Sequence, residues 1–391
     1  MRIFFAVPRS AWVDLNLRRS LEDMGHELVR FDFPGWPDDG DVSWRQHGKP
    51  RTNQRLLETF RSAGRVDLFF GYFYASVVYP ETLDEIRRSG VPTVNFSCNN
   101  VHQFDLVRDI AAHFDVCVVP EQAAQADFVS VGARPIRIQL AANPRVYHPL
   151  AEPRLYDVTF VGQRYADRAE LLQHLYANGV AVRAWGAGWQ ARKRLDVAQV
   201  KAGLALIEDE RWDGVQRLVR KRVAGVAGGS KRDVDTRVKE DGEDGGLETP
   251  IRARAPSLID TSGFGGPRLL QRDLVRMFSQ SRLSLGFATA GDSHLATRRL
   301  RHLRLREFEA PMSGALYLTE DQPELAEYFT PGRELLTYAD RDDLLEQARF
   351  YLAHQELAER IRRAGLERAR REHTWQHRFA ELFLILGLKI S

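Results

Sequence analysis

The stretch LREFEAPMSGALYLT at 305–319 carries the strongest chemical signal in the chain. It places a carboxylate, Glu309, at the start of a short helix and follows it with small residues that turn into an apolar strand. A carboxylate there can accept both vicinal hydroxyls of a ribose, while the helix N-terminus and the nearby Arg306 favour a phosphate. The same two residues also suit a surface ion pair flanking a helix, and physics alone leaves the two readings even. Other reactive groupings are missing. Cys98 and Cys117 lack the spacing of a metal knuckle or a redox pair and read as small buried thiols. Neither an Asp-x-Asp element nor a metal-ligand cluster stands near 305–319, so no metal is demanded. With no Walker loop and no full dinucleotide fingerprint, an ATPase or a dehydrogenase is disfavoured.

The elements that must position these residues belong to a chain of 391 residues, long enough for two domains, with 43% hydrophobic residues to build two cores. Its 56 basic and 53 acidic residues leave a formal charge of +3, without the basic excess of a nucleic-acid binder. The apolar start, MRIFFAV, is too short for a signal peptide and reads as a buried strand. No stretch approaches the roughly 20 apolar residues of a membrane span, which makes the cytoplasm the expected location.

Strand, helix, glycine and strand follow one another at 2–7, 15–24, Gly25 and 27–33, the opening of a doubly wound α/β domain. Further strands are expected at 66–71, 93–96 and 115–119, with helices at 81–89 and 107–113. A stretch of small and polar residues at 141–153 reads as a linker, and the same order restarts with a strand at 157–161, a helix at 168–178, Gly179 and a strand at 180–185. Two similar modules are therefore predicted, with a cleft between them. The alternation degrades over 192–267, where 221–255 mixes glycine and charges of both signs; this predicts a partly disordered insertion, either a plain exposed loop or a lid that orders on binding. Beyond it come a helix at 268–280, strands at 283–287 and 315–318, and helices at 324–329 and 341–354. The segment 356–388 is mostly helical with a break at His373-Thr374; its apolar end either packs on the body or lies on a membrane surface.

The pattern Arg306-x-Phe308-Glu309 with Gly314 and a hydrophobic strand resembles the C-terminal domain of the CgeB-like glycosyltransferases, a branch related to the group-1 retaining transferases. The resemblance continues through LAEYFTPGRE at 325–334, YLAH at 351–354, Ala364-Gly365 and His373-Thr374-Trp375. Upstream, DVTFVG at 157–162 with Arg164 and Arg168 looks like the family's first C-domain strand and its phosphate-facing loop, while PTVNF at 92–96 and NNVH at 99–102 carry a weaker likeness. It implies an α/β GT-B fold: two Rossmann-like domains, 1–150 on the acceptor side and 151–375 binding sugar nucleotide, facing across a cleft, with a C-terminal helix, 376–391, returning to the first domain.

The resemblance implies transfer of a sugar from a UDP-, GDP- or dTDP-type donor to an acceptor hydroxyl, retaining and without a metal or other cofactor. In the wider family two glutamates separated by seven residues serve the donor. Glu309 matches the second, the ribose anchor, but eight positions earlier stands Arg301. Asp292 and His294 are then the candidates for the sugar, unless they only decorate a solvated loop. Arg164, Arg168 and Arg306, with the amides around Gly162 and Gly314, are candidates for the diphosphate, whose charge grows as the leaving group departs. Gly186 and Gly188 either leave room for the base or form a turn. His102, with Asn100 and Asp105 as weaker options, can hydrogen-bond or move a proton at the sugar, and Arg9 can close over the phosphates from the other domain. Three rivals carry weight: a silent nucleotide-sugar-binding protein, a sugar-nucleotide epimerase, and a phage-type transferase acting on modified DNA bases, the last disfavoured by the near-neutral charge.

Overall fold

The apolar run at the start forms β1 (Arg2–Pro8), every residue of which after Arg2 is buried. Burial on both faces is what a central parallel strand requires. A computed structural model describes residues 1–37, 40–190, 259–291, 293 and 299–388. Around β1 lie β2 (Glu27–Phe33), β3 (Leu68–Gly71), β4 (Thr93–Phe96), β5 (Val116–Val118) and β6 (Pro135–Ile136), in the order β2-β1-β3-β4-β5-β6. All pairings are parallel, with Ile3 opposite Leu68 and Val94 opposite Val116. After β1 the periodic stretch runs as one helical segment through Ala11–Val13, a π-helical turn at Asp14–Arg18, and Arg19–Asp23. Gly25, at φ 82°, turns it into β2 in a left-handed conformation that strains residues with a side chain.

A second parallel sheet comprises β7 (Tyr156–Val161), β8 (Val182–Trp185), β9 (Gly265–Gly266), β10 (Ser281–Leu285), β11 (Tyr317–Glu320) and β12 (Leu336–Tyr338), ordered β12-β11-β10-β7-β8-β9. The expected strand at 283–287 begins and ends two residues earlier, and that at 315–318 begins two residues later. Of the expected 192–267 insertion, residues 192–258 lie outside the described residues, while 259–267 contribute β9 to the sheet edge. The helix that was expected at 168–178 is Arg168–Ala177.

Two apolar cores result. One surrounds β7–β12 with Val158, Leu172, Leu283 and Leu318. The other surrounds β1–β6 and also takes in Phe308, Trp375, Phe379 and Phe383. Phe308 comes from the Arg306–Met312 helix, which precedes β11, so that helix lies against the first half of the molecule as well as the second. The last two helices are Gln355–Glu372 and Trp375–Ile385, and the break between them falls where the sequence places it. Thr374 caps the final helix, its hydroxyl accepting from the His377 amide at 3.3 Å. That helix returns to the first sheet: Trp375 meets Trp12 edge-on at 5.6 Å, Phe379 meets Phe70 at 5.9 Å, and Arg378 donates to the Gln139 carbonyl at 3.0 Å. Its apolar face is thus covered by the body of the protein, each buried phenylalanine contributing roughly 1.5–3 kcal/mol. Among the described residues no helix is long and apolar enough to cross a membrane.

Candidate active site

In an open parallel sheet, the ligand crevice lies beyond the carboxyl ends of the strands where the winding reverses. In the second sheet that point falls between β7 and β10, and in the first between β1 and β3. Backbone strain marks the same neighbourhood. Among the described residues only Asn99, at φ 64°, and Ala166, at φ 51°, are non-glycine residues with positive φ. Asn99 follows β4 and Ala166 lies in the loop after β7. Such conformations cost on the order of 1–3 kcal/mol and persist only where neighbours enforce them.

The loop after β7 carries a stack of guanidinium and aromatic groups. Arg168, at the start of its helix and 3% exposed, lies 3.7 Å above the Tyr165 ring, donating to the Gln163 carbonyl at 2.8 Å and the Tyr165 hydroxyl at 2.6 Å. Arg304 approaches the same ring at 5.7 Å. Its guanidinium is held by the carbonyls of Phe287, at 3.1 Å, and Thr289, at 2.7 Å, and it makes no ion pair among the described residues. Its neighbours differ. Arg299 and Arg301 both reach Glu320, at 3.0 and 2.9 Å, and Arg299 also reaches Asp167 at 2.7 Å. The arginine-rich run therefore divides into residues neutralised by carboxylates and one whose positive charge is held in place by backbone dipoles.

Glu309 is 0% exposed, which sets aside the surface ion pair as its description. One carboxylate oxygen accepts from Trp12 Nε1 at 3.2 Å and the Tyr147 hydroxyl at 2.6 Å; the other pairs with Arg306. Trp12 comes from the first half and Tyr147 from the linker, so this carboxylate ties three segments together. Desolvation and the carboxylate raise the Tyr147 phenol well above its usual range, keeping it a proton donor. Glu307, two residues earlier, is equally buried; it accepts from the Arg304 amide at 2.9 Å and the Thr319 hydroxyl at 3.0 Å. Burial pushes its carboxyl up to about 7.

Opposite these groups stands the loop after β4. Glu121, just beyond β5, accepts from the amide of Asn99, from the amide of Asn100 at 3.3 Å and from the Asn100 side chain at 3.0 Å, pinning the strained residue and the turn that carries His102. The His102 ring lies 5.8 Å from that of His302, which belongs to the second half. His102 is exposed at the cleft; partial desolvation, with the positive charge of Arg304, lowers its pKa. Burial pushes the Glu121 carboxyl from its ordinary 4.5 up to about 7. A carboxyl with a raised folded-state pKa contributes stability that is complete below about pH 4.5 and lost as pH rises through about 7. Relative to wild type, Glu121→Gln is therefore expected to gain roughly 2–3 kcal/mol between pH 5 and pH 8, measured by urea unfolding. A difference that stays constant with pH would contradict this.

Several residues singled out in the sequence fall elsewhere. Arg164 turns to the Ile259 carbonyl at 2.8 Å and the Thr261 hydroxyl at 3.3 Å, tying the β7 loop to the segment before β9. The Gly162 amide donates to the Trp185 carbonyl and the Gly314 amide to the Pro311 carbonyl, both at 2.9 Å, so neither is available to a diphosphate. Gly314, at φ 75°, caps the Arg306–Met312 helix at the end away from its N-terminus. A Cβ on Gly186 would lie 2.2 Å from the Gly162 carbonyl oxygen, and one on Gly188 3.2 Å from the Arg164 side chain, so the two glycines let the loops after β7 and β8 pack closely. Asp105 is solvated and paired with Arg108 at 2.6 Å. Asn100 supports the loop, and Arg9 is exposed just past β1. Asp292 and His294 lie outside the described residues. Glu121, His302, Arg304 and Tyr165 were not singled out; the one available signal was that Glu121 and Tyr165 follow the ends of predicted strands.

Residues 262–383 match the model of a family described as glycosyl transferase-like. Curated protein sequences give no match. A sucrose-phosphate synthase from Thermosynechococcus elongatus superimposes with a TM-score of 0.58 at 13% identity, over 99% of this chain and 98% of that one. HepE of Anabaena, solved in complex with UDP-glucose, gives 0.55 at 10% identity, over 99% of both chains. The protein has the GT-B fold. A glycosyltransferase from Rickettsia africae is similar as well, with a TM-score of 0.54 at 9% identity over 98% of this chain and 97% of that one. In this GT-B molecule Arg168 and Arg304 belong to one wall and the His102 loop to the other.

Proposed function

We propose that this protein transfers a sugar from a nucleotide-sugar donor to an acceptor hydroxyl, as a member of the CgeB-like branch of the group-1 transferases, acting in the cytoplasm. The observation that carries the reading is the Arg168–Tyr165–Arg304 stack at the reversal point of the second sheet. Fixed guanidinium groups there suit a diphosphate and stabilise the charge that builds on it as the glycosidic bond breaks. The family match over 262–383 includes Arg304, and HepE, which shares the fold, has been solved with UDP-glucose. UDP is accordingly the first base to test, before GDP and dTDP.

In this reading residues 1–150 form the acceptor-side domain, 151–375 the donor-side domain and 376–391 the returning helix. His102 meets the sugar from the acceptor side, and Arg9 closes over the phosphates. Glu309 anchors the ribose, with Arg306 beside it. Transfer proceeds with retention and without a metal. The leaving phosphate itself takes the acceptor proton.

Slow hydrolysis of the donor tests this, since water can replace a missing acceptor. Incubation with UDP-glucose is expected to release UDP and glucose whose first-formed anomer, read by NMR, keeps the donor's configuration. An epimerised donor, or no turnover of any UDP-, GDP- or dTDP-sugar, would overturn the reading. Arg164→Ala separates support from binding: it is expected to lower stability by about 2 kcal/mol and to leave UDP affinity within twofold by calorimetry. A large loss of affinity would return Arg164 to the phosphate site.

A further inference from the structure

One buried histidine between the two halves has no part in the roles above. His302 is 2% exposed, and neither nitrogen of its ring has a hydrogen-bond partner among the described residues. Its backbone is fixed, the amide donating to the Ala288 carbonyl at 3.1 Å. A neutral imidazole carries one N–H donor and one lone pair. Protein interiors pair the large majority of such groups, because an unpaired one forfeits its hydration for nothing in return, and in this ring both nitrogens are unpaired. Where a folded chain retains that cost, a ligand is a natural partner.

The surroundings say what kind of ligand. Glu121 Oε1 stands 3.8 Å from Nδ1, the His102 ring lies 5.8 Å away from the other half, and Arg304 and Arg168 are the nearby cations. Desolvation and these positive charges hold the imidazole neutral. An adjustment of about 1 Å would bring Nδ1–H into hydrogen-bond range of Glu121. That bond would fix the proton on Nδ1 and leave the Nε2 lone pair to accept from a hydroxyl. A neutral ring beside a carboxylate is a poor place for phosphate and a good one for an uncharged, hydroxyl-bearing group. Arg304, proposed for the diphosphate, is only two residues along the chain, and the group joined to the diphosphate is the sugar.

We propose that His302 is a substrate-binding residue that hydrogen-bonds a hydroxyl of the transferred sugar opposite His102, with Glu121 as the positioning residue that sets its tautomer. The proposal rests on the sugar-transfer reading above and adds a sugar contact from the donor side.

The test is calorimetry on the full chain with UDP, GDP and dTDP and with their glucose conjugates. For the base that binds, His302→Phe is expected to leave the diphosphate affinity within twofold and to weaken the glucose conjugate about tenfold or more, a loss His302→Gln partly restores. The melting temperature of ligand-free His302→Phe is expected to rise, since two unpaired polar atoms leave the interior; a histidine with only a structural role would show a fall. Glu121→Gln is expected to weaken the conjugate as well, and its effect should not add to that of His302→Phe. If the diphosphate binds and the ratio of the two affinities is unchanged in both His302 variants, this proposal alone is wrong. If none of the three diphosphates binds the wild-type protein, the sugar-transfer reading fails and takes this one with it.

Discussion

Glu309→Ala is expected to cost roughly 3–5 kcal/mol of stability and to remove measurable nucleoside-diphosphate binding. The carboxylate is fully buried and holds Trp12, Tyr147 and Arg306 at once. Alanine leaves an indole N–H, a phenol and a guanidinium without their acceptor, and each buried orphan costs about 1–3 kcal/mol. The damage also spreads, because those three partners come from the first half, the linker and the second half. Glu309→Gln keeps one acceptor oxygen and is expected to lose about half as much. Urea unfolding followed by fluorescence reads the effect directly, since Trp12 is one of the partners. An alanine variant as stable as wild type would show that the hub carries no load.

The second large effect is expected at Arg168. Its guanidinium lies flat on Tyr165 and is oriented by the Gln163 carbonyl and the Tyr165 hydroxyl. Charge-assisted hydrogen bonds from such a group are worth about 1.5–3 kcal/mol each, so Arg168→Ala is expected to weaken UDP about 100-fold. Lysine should not rescue it, because an ammonium neither stacks on the phenol nor presents a planar fork. Calorimetric affinities within threefold of wild type for both variants would remove Arg168 from the site.

Those residues were legible in the sequence to very different degrees. Strands bounded by strong punctuation were plain: β2 begins just after Gly25-His26, and β4 follows Pro92. The Lys49–Ser62 helix was not, because only Thr52, Asn53 and Leu56 are buried, which leaves no apolar stripe to read. Nor were the edge strands β6 and β9, each two residues long, too short for any period to show. The role of Gly314 was available in principle, since a glycine just past a short helix is a cap before it is a phosphate cradle. The sequence could not say how Arg299, Arg301 and Arg304 divide. Only the fold shows that Glu320 neutralises Arg299 and Arg301 while carbonyls hold Arg304. Glu121 and His302 lie far apart along the chain and share a neighbourhood only because two sheets face each other.

The cleft is expected to bind a nucleoside diphosphate on Arg168 and Arg304. Titrating UDP, GDP and dTDP into the wild-type protein and Arg168→Ala by calorimetry tests it most directly. Saturable one-to-one binding of at least one of the three is expected, weakened about 100-fold in the variant. No binding of any of them, or binding that is indifferent to Arg168, would contradict this assignment.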